Sequence, residues 1–227
     1  KDGREFENDS KLLSTILRYL ETPQHFRKRL YPKSGLLQFV GALSPIKMPN
    51  QTGTSDAKQV KIGDIREGVI FPKDGKKYID LGIDYSVPYH GKKAIDKRTI
   101  VKIKDTFPNF SVYDIEKNQI PNFWSYSVKH GGNLLTLLTD WKGPKILTSR
   151  KSKKIKNEEM QKILSSEEEI LVVFGTTDKG IHEMLDKKIS NVQNFKAWNF
   201  FPHQGTETVR LEEAILGCLS IINASNF

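Results

Sequence analysis

Ala197-Trp-Asn-Phe-Phe-Pro-His-Gln-Gly-Thr-Glu-Thr-Val-Arg-Leu-Glu-Glu-Ala-Ile-Leu-Gly-Cys-Leu-Ser-Ile-Ile222 decides how the chain is read. Residues 197–201 have the composition of a strand. Residues 209–222 repeat Leu211, Ala214, Ile215, Cys218, Leu219 and Ile222 on one face, the spacing of a buried helix. The connecting residues 199–210 carry more amide and hydroxyl groups than a helix cap needs, although Thr208 with Glu212 and Glu213 downstream would suffice as capping chemistry. Upstream, strands are expected at 145–148 and 170–174, and helices at 134–138, 158–164 and 181–185. Strands alternating with helices give an α/β layer with a parallel sheet. Open sheets of this kind bind ligands beyond the C-terminal ends of their strands. Three loops lie there: 148–150, 175–180 and 199–210.

Between Pro49 and Val128 the rhythm is that of strands, expected at 60–62, 68–71, 78–83, 99–104, 111–115 and 123–128. Tyr78, Asp80 and Gly82 alternate with Ile79, Leu81 and Ile83, and Lys73-Asp74-Gly75 signals a turn. Strands of this number in about eighty residues fit a small antiparallel barrel such as an OB-fold. At the start, residues 10–20 read as a helix with Ser10 as N-cap. A second, short helix starts with Thr22 as cap and Pro23 in its first position and stops at Pro32.

The 227 residues have an ordinary globular composition, 37% hydrophobic and 28% charged. Lys and Arg outnumber Asp and Glu by 36 to 27, a formal charge of +9 that favours a polyanionic partner, nucleic acid before membrane. No apolar run reaches the length of a membrane span. One cysteine, Cys218, excludes a disulfide framework and favours a reducing, cytoplasmic setting. Five scattered histidines and that single cysteine make no zinc pattern, so no metal is expected. Gly175-Thr-Thr-Asp-Lys-Gly180 precedes Ile181 and fails the Walker pattern; neither Gly-x-Gly-x-x-Gly nor Gly-x-Ser-x-Gly occurs.

Pro202-His-Gln-Gly-Thr-Glu-Thr-Val-Arg-Leu-Glu-Glu-Ala-Ile215 resembles the knot-loop signature of SPOUT class RNA methyltransferases, and of the branch with an inserted OB-fold-like domain. Leu20-Glu-Thr-Pro-Gln-His-Phe-Arg-Lys-Arg-Leu-Tyr-Pro32, Gly41-Ala-Leu-Ser-Pro-Ile46 and Trp124-Ser-Tyr126 resemble further motifs of that branch. The resemblance implies an α/β domain with a C-terminal trefoil knot, formed by 1–48 and 129–227 around an OB-fold-like insertion at 49–128. It also implies a homodimer. The same resemblance implies a strand–helix–strand ahead of Lys1 in family members, expected to be absent or cut away here. Two departures stand out: relatives read Gly-Ser-Pro-x-x-Gly where this chain has the 175–180 loop, and Asn where it has His203.

S-adenosylmethionine is the cofactor the resemblance implies, held in the knot. Its expected contacts are Thr148 and Ser149 on the first loop, and Phe174, Gly175, Thr176 and Gly180 on the second. Phe200, Phe201, Gln204, Gly205, Thr206 and Thr208 complete the set on the third. Arg150, Arg210 and Glu207 are the charged groups on these loops and the candidates for catalysis. RNA, ribosomal RNA in particular, is the expected substrate, with base methylation preferred over ribose methylation. Candidate RNA contacts are the cluster Arg27, Lys28 and Arg29, then Lys76, Lys77, Lys92, Lys93 and Arg98, and Lys151, Lys153 and Lys154. The alternative is a non-catalytic RNA-binding scaffold that keeps the fold for dimerisation, favoured by the altered 175–180 loop.

Overall fold

The computed structural model describes residues 3–44, 46–51, 53–129, 132–166, 168–176 and 179–225. Lys1 and Asp2, Pro45 of the 41–46 motif, the His130-Gly131 junction, and Thr177 and Asp178 of the 175–180 loop lie outside them. The chain forms two compact units, Lys1–His130 and Gly131–Phe227.

The first unit opens with helices α1 (Gly3–Glu21) and α2 (Gln24–Leu30). Ser10 lies inside α1 rather than capping it, because no helix breaker stands in the polar run ahead of it. Thr22 does not cap α2 either. Its hydroxyl bonds back to the Arg18 carbonyl at 2.8 Å, leaving Pro23 at the N-cap position.

Strands β1 (Ile65–Lys73), β2 (Lys76–Asp80), β3 (Val87–Pro88), β4 (Arg98–Asp105) and β5 (Ser111–Ile115) make one antiparallel sheet in the order β3-β2-β1-β4-β5. Asp74 and Gly75 join β1 to β2 with φ of 49° and 72°. Two successive positive φ values give the twist that a two-residue hairpin requires. Alternation buries Ile70, Ile79, Leu81, Val101 and Ile103 in one core with Val87, Tyr89 and Phe110.

Two expected strands are absent. At 60–62 the Asp56 side chain accepts from Lys58 N–H at 2.9 Å and winds Ala57–Gln59 into a 3-10 turn. That turn drops Val60 into the core and leaves Ile62 exposed. At 123–128 the chain lies against α1 instead of a sheet edge. Tyr126 Oη donates to the Leu17 carbonyl at 2.6 Å, and Arg18 donates to the Val128 carbonyl at 3.3 Å.

The two helices are clamped to the sheet by charge. Arg98 donates to both Glu21 oxygens, at 2.7 and 3.1 Å, to Glu67 at 2.7 Å, and to the Thr22 hydroxyl at 3.0 Å. Asn50 Nδ2 donates to Glu67 at 3.0 Å and to the Glu21 carbonyl at 3.1 Å. Burial drives the Glu67 carboxyl above its ordinary pKa, against the pull of Arg98.

The second unit contains α3 (Leu134–Asp140), β6 (Lys145–Lys154), α4 (Asn157–Leu164), β7 (Leu171–Val173), α5 (Ile181–Leu185), β8 (Phe195–Asn199) and α6 (Leu211–Ala224). Its sheet is parallel, in the order β7-β6-β8. Adjacent residues on β6 serve opposite faces. Leu147 packs with Leu138, Ile181 and Leu185 from α3 and α5, and Ile146 packs with Met160 of α4 and Cys218 of α6. A parallel sheet covered on both faces is the expected α/β arrangement. β6 runs well past Thr148. Thr148 and Lys153 both pair with Trp198, so residues 149–152 leave the ladder and rejoin it. Arg210, not Thr208, caps α6, and Glu213 reaches back to accept its backbone N–H at 3.2 Å.

Candidate active site

A cavity of about 230 Å³ opens beside the mid-strand excursion of β6 and the C-terminal ends of β7 and β8, wholly within the second unit. A single water needs only about 10–15 Å³, so this space suits an organic ligand. Each of the three strand-exit loops contributes to it.

From β6 come Thr148, Ser149, Arg150 and Lys151, the last three on the excursion out of the ladder. The Thr148 hydroxyl donates to the Val173 carbonyl at 3.0 Å and ties two strand ends together. From β7 come Phe174, Gly175, Thr176 and Gly180. This loop closes on itself: Thr176 N–H donates to the Lys179 carbonyl at 3.0 Å, and Lys179 N–H to the Thr176 hydroxyl at 3.1 Å. A Cβ on Gly175 would sit 3.0 Å from that carbonyl, so the tight loop needs a bare backbone there. From β8 come Asn199, Phe200, Phe201, Gln204 and Thr208.

Ten of the twelve residues expected at the cofactor line this cavity; Gly205 and Thr206 do not. The reason is local. Gln204 Nε2 donates to the carbonyls of Thr206 and Glu207, at 2.9 and 3.3 Å, and folds the loop tip onto itself. Among the charged candidates only Arg150 lines the cavity. Glu207 contributes its main-chain carbonyl, which accepts from Arg150, and Arg210 sits at the start of α6.

Several lining residues escaped the sequence reading. Asn199 is central: its Nδ2 donates to the Arg150 carbonyl at 3.0 Å and its Oδ1 accepts from Phe201 N–H at 2.9 Å, joining two loops. His182 and Glu183, in the first turn of α5, also face the space. Glu183 Oε1 lies 2.5 Å from Lys151 Nζ, and that hydrogen bond and charge hold its carboxyl below the usual carboxylate range. The His182 ring stands 3.5 Å from the Ser152 hydroxyl. Reading the glycine loop together with the helix it feeds would have found both. Val209, Leu211, Ala214 and Cys218 close the apolar wall, and burial pushes the Cys218 thiol up to about 12.

The basic candidates divide by what holds them. Arg98, read as an RNA contact, is bound to two carboxylates instead. Arg27 donates to the Thr22 and Leu20 carbonyls, at 2.8 and 3.0 Å, and lies over Tyr19. Arg29 pairs with Asp96 at 2.8 Å, Lys77 donates to the Lys93 carbonyl at 2.9 Å, and Lys93 lies 3.6 Å from Glu116. Lys28, Lys76, Lys92, Lys153 and Lys154 are exposed. Among the described residues no cluster of three or more His, Cys, Asp or Glu could hold a metal, and no helix is long and apolar enough to cross a membrane.

Residues 1–222 match the family model described as Putative RNA methyltransferase. An uncharacterised protein of Haloarcula marismortui is 25% identical over 92% of the chain and 79% of its own length. The mouse and human 28S rRNA (uridine-N(3))-methyltransferases are 27% and 25% identical over 92% of the chain. The chain spans only 58% and 59% of those two enzymes. With a family model covering almost every residue, the chain is a member of this putative RNA methyltransferase family.

Proposed function

We propose that the chain uses S-adenosylmethionine to methylate a base in ribosomal RNA, with uridine N3 as the acceptor atom named by its mouse and human relatives. The observation that carries this reading is the cavity at the C-terminal edge of the parallel sheet. Its residues fit the cofactor. Phe174, Phe200 and Phe201 with Leu211 and Ala214 make a nonpolar slot for an adenine ring, and the bare backbone of Gly175 allows close amide approach. Bound there, the sulfonium supplies an electrophilic methyl group.

The chain's own contribution is alignment and charge. Ser149, Arg150 and Lys151 rim the cavity on the β6 excursion, where an acceptor base would enter. Uridine N3 must give up its proton, here to solvent, leaving negative charge on the ring; its lone pair would then take the methyl group while the donor sulfur leaves as a neutral thioether. The Arg150 guanidinium, fixed by the Glu207 carbonyl, is placed to balance that charge. Glu207 and Arg210, outside the cavity, are assigned to the loop and the helix cap. Of the basic candidates, Lys153 and Lys154 on β6, and Lys28, Lys76 and Lys92 in the first unit, are exposed and suited to phosphate contact.

The knot, the OB-fold assignment of the five-stranded sheet and a homodimer belong to the same proposal. Leu211, Leu216 and Leu219 of α6 are 43%, 71% and 46% exposed, an apolar helix face suited to a second copy. Calorimetry with S-adenosylmethionine tests the reading. One site per chain, lost on Gly175→Leu in a folded protein, is expected; no heat and no thermal shift at millimolar ligand would favour a non-catalytic scaffold.

A further inference from the structure

The first unit has its own cleft, of about 860 Å³, between α2, residues 46–51 and 53–55, β1 and the residues that follow β2. Its walls carry Arg66, Lys47, His25, Glu67, Asn50 and Trp124. Nothing in the methyl-transfer scheme above uses it, and its chemistry is unbalanced in one direction.

Arg66 is only 9% exposed. Its Nη1 donates to the Thr54 carbonyl at 2.9 Å, yet among the described residues no carboxylate lies within ion-pair distance of the guanidinium. Asp64, whose charge it feels without a direct ion pair, accepts from Lys61 N–H at 3.0 Å. Glu67, the carboxylate of the cleft, is taken by Arg98 and Asn50. A buried cation with no directly paired carboxylate is costly, and an anion in the cleft would relieve that cost. Lys47 at the exposed rim adds a second positive charge.

The rest of the wall suits a planar heterocycle. Trp124 Nε1 and Asn50 Oδ1 are buried and, among the described residues, make no hydrogen bond. One is a donor and the other an acceptor, the pair of functions that a nucleobase edge offers in return. The cleft is far larger than a phosphate ion alone would need.

We propose that this cleft holds one nucleotide of the RNA strand outside the transfer site, its phosphate on Arg66 and Lys47 and its base against Trp124. The shared chemistry is that of a nucleoside monophosphate, and the strand is the assigned source. This rests on the RNA-directed reading above, but its test does not depend on methyl transfer.

The experiment measures anisotropy of a fluorescein-labelled hexauridylate bound to the full chain, at low salt where phosphate contacts dominate. Lys47→Glu and Arg66→Met are each expected to weaken binding at least tenfold while the S-adenosylmethionine calorimetry stays unchanged. An oligomer lacking its bases should bind at least tenfold more weakly, and uridine monophosphate should compete only at much higher concentration. Wild-type affinity in Lys47→Glu and in folded Arg66→Met overturns the proposal. If Arg66→Met does not fold, Lys47→Glu, at an exposed position, decides alone. Equal affinity for the mononucleotide and the hexamer would overturn the strand assignment. Loss of cofactor heat in the wild type would count against the function proposed above, not against the cleft.

Discussion

Arg150 and Glu207, 57 positions apart, are joined by a hydrogen bond from the Arg150 guanidinium to the Glu207 main-chain carbonyl. The strand-end cavity thus has its first and third loops fastened by a side chain that also lines it. Asn199 makes a parallel link from β8 to the Arg150 carbonyl. Two ties on one short excursion of β6 make this rim the organising point of the site.

Removing the tie should loosen the third loop. A hydrogen bond from a charged donor is worth about 1.5–3 kcal/mol, so Arg150→Ala is expected to weaken S-adenosylmethionine binding by roughly ten- to a hundredfold. Glu207→Ala keeps the carbonyl and should leave affinity almost unchanged. Calorimetry on both variants checks the contrast; equal losses would mean that the Glu207 carboxylate, not its backbone, matters.

Gly217 and Phe201 set the width of the apolar slot. A Cβ at position 217 would lie 2.6 Å from Phe201 Cζ, closer than real side chains come. Alanine favours the helix over glycine by about 1 kcal/mol, so Gly217→Ala should retain α6. It should nevertheless push the Phe201 ring into the cavity and reduce cofactor affinity. Unchanged far-UV dichroism with weaker binding is the expected pair of results. Unchanged binding would show that the ring has another place to go.

Cys218 offers a readout of the same wall. It is 1% exposed and its thiol is pushed up to about 12, so the folded protein should resist alkylation at pH 8 and react only on unfolding. The raised pKa has a definite sign. The stability it contributes is complete below the ordinary thiol value and declines as pH rises from there toward about 12. Mass spectrometry after iodoacetamide, with and without urea, tests the first statement directly.

In the first unit, Arg98 is the residue least replaceable by a neutral one. Its loss leaves Glu21 and Glu67 facing each other without a cation, and breaking a buried pair in this way costs about 3–5 kcal/mol. Urea unfolding of Arg98→Met should show that loss at neutral pH. Burial already raises the Glu67 pKa, and removing Arg98 removes the charge that opposes the rise. The variant's deficit should therefore shrink as pH falls toward the carboxylate range and Glu67 gains its proton. A deficit that grows on acidification would contradict this account of the network.

Patterns with a strong period were legible from the residues alone. The strands at β1, β4 and β5, the helix α5 and the parallel β6–β7–β8 layer all follow from spacing and turn chemistry. What escaped depended on contacts distant in sequence. Residues 123–128 alternate like a strand, yet Tyr126 and Trp124 are captured by α1 and Asn50. Arg98 looks like an edge cation, and only the fold reveals Glu21 and Glu67 beside it. The loops around the cavity stand out in the sequence because glycines and polar residues follow buried strands. Gly205 and Thr206 lie off the cavity wall, where the Gln204 side chain folds the loop tip on itself, a contact no sequence period encodes.

Reacting the protein with large-subunit ribosomal RNA and S-adenosylmethionine, then digesting the RNA to nucleosides for mass spectrometry, tests the central claim most directly. The account predicts new 3-methyluridine with the wild-type chain and a decrease of at least tenfold with Arg150→Ala. A folded protein that binds both cofactor and RNA, yet leaves no methylated nucleoside above background, would contradict it.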